Sequence, residues 1–265
     1  MDSIRQAVDL ARAAALGGEQ LQPPFGRMPP VLDPQIKDVE LRPDHLESTR
    51  IISHGIADDH GRYFDALRTQ VLQAMDKNNW QFLAVTSPTA GCGKTVTACN
   101  LAMSIARLSE RSVLLVDLDL QKPKVAEYLG INQKEGLLDI LEGRATVSSK
   151  IVQACVRRTK MLVLPGQACK GSSEWMASQA METTLQTIKR EFRSRIVIFD
   201  MAPLLVGDDV ISILPRMDAV LLVAGIGNTS PNDIKECQKH LQATPVIRVV
   251  VNKVTEANDS YYAYY

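Results

Sequence analysis

Five short, almost unbroken apolar runs, separated by longer stretches of helical character, constrain this chain more than any other feature. They are Phe82–Val85, Val113–Val116, Ile196–Phe199, Ala219–Val223 and Val246–Val251. A strand with one wet face alternates apolar and polar residues, whereas strands apolar at every position need burial on both faces. Alternation with helices then calls for right-handed βαβ crossovers, which put a parallel sheet between two helical layers. The expected fold is therefore α/β, a doubly wound, mostly parallel sheet flanked by helices, with a further weak strand at Met161–Leu164. Phe64, Leu67, Val71, Leu72 and Met75 recur at helical intervals and predict a helix ahead of the first strand.

The flanks look different. Residues 3–16 place Ile4, Ala7, Val8, Ala11 and Ala15 on one helical stripe, with Ser3 as cap and Gly17-Gly18 as stop. Residues 19–60 hold six of the thirteen prolines and little apolar periodicity, which predicts a mobile linker. His45, His54 and His60 fall near its end without metal-ligand spacing and are expected to be solvated loop residues. The predicted organisation is an N-terminal helix (1–18), a proline-rich linker (19–60), one catalytic domain (61–255) and a tail (256–265). Thirty basic and thirty acidic side chains leave no global field to draw the chain to nucleic acid. Five cysteines without CxxC spacing suggest neither a disulfide framework nor a zinc site. No run of eighteen apolar residues or signal-peptide core is present, so the expectation is a cytoplasmic protein that meets membranes through a partner.

The first strong strand runs into Thr86-Ser87-Pro88-Thr89-Ala90-Gly91-Cys92-Gly93-Lys94-Thr95, and helical periodicity resumes at once. Strand, glycine loop, Lys-Thr and helix is the order a phosphate cradle needs. Gly91 and Gly93 let backbone N–H groups converge on an anion, the helix start adds positive potential, and Lys94 reaches the outer phosphates. The Thr95 hydroxyl suits a Mg²⁺ ligand. The usual GxxxxGK[ST] string fails at its first glycine, where Pro88 stands. Two further strands end in acids, Asp117 with Asp119 and then Asp200. In a parallel sheet those carboxyl ends share the edge that carries the glycine loop. Three carboxylates there suit a magnesium ion and a base for proton removal.

Together these segments resemble the bacterial tyrosine kinases, P-loop enzymes with three Walker motifs, over roughly residues 60–265. Ser87–Thr95 is similar to Walker A, Val113–Pro123 to Walker A′, and Phe199-Asp200-Met201-Ala202-Pro203 to Walker B. Gly136–Leu141, Leu164-Pro165-Gly166 and Val251-Asn252-Lys253 also fall where the family has similar segments. The resemblance implies an ATP- and Mg²⁺-dependent autokinase of exopolysaccharide or capsule export. Ala90, Gly91, Cys92, Gly93, Lys94, Thr95 and Val96 would cradle the phosphates, with Asn252 near adenine. Thr95, Asp119 and Asp200 would attend the metal, and Asp117 would accept the phenolic proton. The phosphoacceptors would be Tyr261, Tyr262, Tyr264 and Tyr265, four of the six tyrosines in the chain. Implied partners are a membrane-embedded polysaccharide co-polymerase as activator, a cognate tyrosine phosphatase, and further copies of the chain, but not nucleic acid.

The chain departs from the family pattern at Ala90, Gln121 and Ala202. The helical EX2RX2R ring-contact motif is represented by Arg62, Asp65 and Arg68, of which only the last charge matches. A ParA/MinD-like ATPase switch shares the fold and Walker residues, but Thr89 stands where that group places a signature lysine. A nucleotide-gated adaptor with reduced catalysis is a third reading. Cys92, in the loop at a helix start, raises a further expectation, a thiol of depressed pKa whose oxidation would gate nucleotide binding.

Overall fold

The computed structural model describes residues 36–55, 61–193, 195–242 and 244–254. In chain order the elements are β1 (Lys37–Glu40), α1 (Pro43–Ser48), α2 (Gly61–Asn78), β2 (Phe82–Thr86), α3 (Lys94–Ala106), β3 (Val113–Asp117), α4 (Val125–Leu129), α5 (Leu137–Leu141) and α6 (Val147–Lys150). There follow β4 (Val152–Val156), β5 (Thr159–Leu164), α7 (Ser172–Ala177), α8 (Gln179–Glu191), β6 (Ile196–Asp200), α9 (Asp209–Ile213), β7 (Ala219–Gly225), α10 (Pro231–His240) and β8 (Val246–Asn252). Eight strands form one sheet in the order β1-β4-β5-β3-β6-β2-β7-β8. Every pairing is parallel except the β4–β5 hairpin. The doubly wound fold expected from the apolar runs is the fold observed.

Residues along each central strand bury alternately on opposite faces. Leu83, Val85, Leu115, Ile198 and Leu221 join one core with Leu101 and Ile105 of α3. Phe82, Ala84, Leu114, Val116 and Phe199 join the other with Met181 and Ile188 of α8. Phe82 and Phe199 meet edge to face, with ring centroids 5.0 Å apart, within that second core. Each fully buried Leu, Ile or Phe contributes about 1.5–3 kcal/mol. Burial of both faces is thus the driving force that the unbroken runs encode. β2 lies between β6 and β7, and the chain crosses first to one side of it and later to the other. That reversal opens a crevice at the carboxyl ends of the strands, the place where α/β sheets take their ligands.

Three expectations need correction. The linker predicted over 19–60 gives way to structure at residue 36, because β1 pairs with β4 and α1 buries Leu46. His45 and His54 are accordingly not solvated loop residues. His45 Nε2 bonds the Glu127 carbonyl at 2.8 Å, and His54 is buried with Nδ1 2.9 Å from the Ile51 carbonyl. The weak strand is longer than expected, at Thr159–Leu164, and it pairs antiparallel with β4. The helix predicted at 3–16, His60 and the tyrosine cluster lie outside the described residues. No described helix is long and apolar enough to cross a membrane.

Candidate active site

The loop between β2 and α3 is shaped by two residues with left-handed backbones, Gly91 at φ 79° and Gly93 at φ 94°. A side chain at either would be strained, and a Cβ on Gly93 would overlap the Asn252 amide. Asn252 Nδ2 donates to the Cys92 carbonyl at 2.9 Å, so the end of β8 braces the loop. Behind it, Gly225 at the end of β7 lets Cys92 approach closely. Thr89 Oγ1 donates to the Asn228 carbonyl at 3.2 Å. Ala90 and Gly91 are exposed at the loop crest, and Val96 is half-buried in the first turn of α3.

Below the crest sits a charged cluster. Lys94 Nζ lies 2.8 Å from Asp119 Oδ2 and 3.9 Å from Asp200 Oδ1. Burial works against the ammonium, but Asp200 and Asp119 outweigh it and raise the Lys94 pKa. Thr95 Oγ1 donates to Asp200 Oδ2 at 2.7 Å. Asp117 and Asp200 are register partners on β3 and β6, and both are fully buried. Asp117 Oδ1 accepts the Asp119 N–H, and its Oδ2 accepts the N–H groups of Lys124 and Val125. Burial, with Asp200 adding to it, pushes Asp117 up to about 8 despite those amides. Burial also pushes Asp200 up to about 6 against the pull of Lys94 and Thr95. The structure therefore brings together Lys94, Thr95, Asp117, Asp119 and Asp200, with Asn252 on the far side of the loop.

Cys92 is fully buried. Burial raises its thiol, but the hydroxyls of Thr229 and Thr89, 3.4 and 3.6 Å from Sγ, outweigh that and lower it. Its contacts make it a packed floor of the loop, closed to an oxidant in this arrangement. Gln121 Nε2 reaches Asp209 Oδ2 at 3.1 Å, and Ser173 Oγ holds the other oxygen at 2.8 Å. Asp65 does not point away from the domain. It accepts from Arg68 at 3.0 Å and from Ser104 at 2.6 Å, so part of the degenerate contact motif is engaged with α3.

Gly166 entered the sequence reading only as part of a family-like segment, without a role, and Asn228 and Thr229 escaped it. Gly166 backs onto Asp117 so closely that a Cβ would lie 2.9 Å from its carboxyl carbon. Asn228 and Thr229, just after β7, support the loop. The sheet-edge rule that selected the strand-end acids applies equally to the segment after β7, and was the available signal.

The donor set fits a phosphate-bound divalent cation. Asp200 Oδ1 is buried without a hydrogen-bond partner among the described residues, beside the Thr95 hydroxyl. No cluster of three His, Cys, Asp or Glu side chains able to hold a metal alone exists among the described residues. Phosphate oxygens and water would complete the coordination, as expected of magnesium.

The CbiA family, described as the CobQ/CobB/MinD/ParA nucleotide-binding domain, matches residues 83–264. The chain belongs to this family. Among its relatives, the tyrosine-protein kinase CpsD of Streptococcus pneumoniae is 27% identical over 76% of this chain and 88% of CpsD. EpsB of Ralstonia nicotianae is 28% identical over 89% of this chain, which spans 31% of EpsB. The chain thus covers under a third of that relative's length. Among solved structures, the chimerical protein CapA2B2 superposes with a TM-score of 0.69 at 22% identity, over 86% of this chain and 95% of that one. Cobyrinic acid a,c-diamide synthase from Mycobacterium smegmatis, solved with an ATP analog and magnesium, gives a TM-score of 0.53 at 20% identity, over 66% of this chain and 78% of that one. These two likenesses show the fold; the nucleotide-binding character rests on the family match.

Proposed function

We propose that this chain transfers the γ-phosphoryl group of ATP to tyrosine hydroxyls, chiefly Tyr261, Tyr262, Tyr264 and Tyr265 of a neighbouring copy. The carrying observation is the buried Asp117–Asp200 pair beside Lys94, which joins charge neutralisation to a carboxylate of unusual proton affinity. Names of relatives such as CpsD supply the acceptor class. Magnesium, when bound, neutralises phosphate oxygens. Thr95, Asp119 and Asp200 are the side chains that would hold it. Lys94 and the amides of residues 90–96 bind and orient the phosphates, and Asn252 is the base-side contact.

Phosphoryl transfer asks the protein mainly for alignment and charge compensation. The phenolic oxygen forms its bond to the γ-phosphorus as the bond to the β,γ-bridging oxygen breaks, and ADP departs. The phenolic proton passes to Asp117. Burial beside Asp200 raises the proton affinity of Asp117 above that of an ordinary carboxylate, the direction a proton acceptor for a phenol needs. The chain would work at the inner face of a plasma membrane, brought there by a membrane-embedded polysaccharide co-polymerase and opposed by a tyrosine phosphatase. A ParA/MinD-type switch is less well supported, because Thr89 places a hydroxyl bonded to Asn228 where that group carries a lysine.

Incubating the full chain and its activator with labelled ATP and magnesium tests the reading. Label on protein tyrosine is expected, with most of it lost on changing the four tail tyrosines to Phe. Undiminished label in that variant would reject the tail as substrate; free phosphate alone would reject the kinase.

A further inference from the structure

Residues 45–53 lie far from the phosphate loop in sequence, yet they touch both helices that leave the active site. α3 starts at Lys94, and α4 starts at Val125, whose N–H is held by Asp117. On α3, Asn100 is fully buried and directs three of its four amide hydrogen bonds to this segment. Its Oδ1 accepts the N–H groups of Ile52 at 2.8 Å and Ser53 at 3.0 Å. Its Nδ2 donates to the Arg50 carbonyl and to the Val96 carbonyl, each at 2.9 Å. Val96 belongs to the first turn of α3, directly after Lys94 and Thr95. On α4, the Thr49 hydroxyl donates to the Tyr128 carbonyl at 2.7 Å and His45 Nε2 meets the Glu127 carbonyl at 2.8 Å. Arg50 adopts a left-handed backbone at φ 64°, a cost accepted only where surroundings fix it.

We propose that residues 45–53 form a clip that sets the spacing of the Lys94–Asp119 pair, with Asn100 and Thr49 as its positioning residues. One end of the clip holds the helix that carries Lys94. The other holds the helix that follows Asp119 and ends the loop between them. The Lys94–Asp119 distance of 2.8 Å leaves little tolerance, so a loosened clip misplaces the ammonium against the phosphates. Linkage runs both ways: if the clip favours nucleotide, nucleotide tightens the clip by the same factor. The proposal rests on nucleotide binding and not on which hydroxyl receives the phosphate.

The test uses the full chain, calorimetry with magnesium and ATP, and amide exchange at Ile52 and Ser53. In the wild type, nucleotide should slow exchange at both amides by threefold or more. Thr49→Val, which removes one hydroxyl at constant shape, should weaken nucleotide binding about three- to tenfold, and Asn100→Ala by more than tenfold if it folds. Ser178→Ala, which uncaps α8 on the other face of the sheet from the clip, should leave affinity unchanged and reports what mere destabilisation does. Exchange at Ile52 and Ser53 indifferent to nucleotide, or wild-type affinity in Thr49→Val, would overturn the clip while leaving the kinase reading intact. A wild-type chain that binds no nucleotide would overturn both.

Discussion

Asp117 and Asp200 face one another as register partners on adjacent parallel strands, two fully buried carboxylates at the floor of one site. Burial raises both, Asp117 to about 8 and Asp200 to about 6. Between an unfolded value near 4 and those folded values, the native chain binds more protons than the unfolded chain. The contribution of the pair to stability therefore falls as pH rises, by up to about 1.4 kcal/mol per pH unit for each proton. Between pH 6 and 8 the buried Asp117–Asp200 pair is responsible. Urea unfolding without nucleotide should show a shallower loss over that window in Asp117→Asn than in the wild type. Identical slopes would remove Asp117 from the titrating pair.

Lys94 is the counter-charge to two buried acids, so its removal should harm folding as well as binding. Breaking a buried pair by deleting one partner costs about 3–5 kcal/mol. Lys94→Met should unfold at markedly lower urea and lose nucleotide binding by more than tenfold. Adding Asp119→Asn should recover part of the stability and none of the binding. Recovery of both in the double variant would mean that the pair is scaffolding alone.

Gly166 touches Asp117 without any side chain of its own. Alanine there would press on the Asp117 carboxyl carbon, on its carbonyl 3.0 Å away and on Pro123. Backbone cannot yield cheaply, so phosphotransfer should fall at least tenfold in Gly166→Ala, with the optimum of its pH profile displaced. A variant with wild-type rate and profile would show that the contact does not position Asp117.

The start of α10 offers a clean contrast. Ser230 accepts the Asp233 N–H while Asp233 returns a bond to the Ser230 N–H, a reciprocal cap. Ser230→Ala should cost about 1 kcal/mol in urea unfolding. Phosphotransfer at low temperature should stay at the wild-type rate; a tenfold loss would tie α10 to the site.

The strands that frame the site were legible because burial on both faces leaves unmistakable apolar runs. β1 and β4 were not. Lys37-Asp38-Val39-Glu40 is an edge strand with mostly exposed side chains and no apolar run to announce it. β4 returns into β5 through Arg157-Arg158, with Arg157 at φ 53°, where a sequence signal would be Asn-Gly. Lys94, Thr95 and the strand-end acids were legible because phosphate chemistry dictates their spacing. The roles of Gly166 and Asn100 were not, because a backbone approach and a saturated amide depend on segments that only folding brings together.

Asn252 braces the phosphate loop, and Lys253 is tied through its Nζ to Asn228 at 3.0 Å. The eight residues from there to Tyr261 reach at most roughly 28 Å. Under the proposed reading, the acceptor hydroxyls of Tyr261, Tyr262, Tyr264 and Tyr265 are attached within that contour length or a few residues beyond it. Dilution therefore distinguishes two fates for the same four hydroxyls: a first-order reaction that ignores protein concentration if a chain serves itself, and a rate that climbs with concentration if it serves its neighbour.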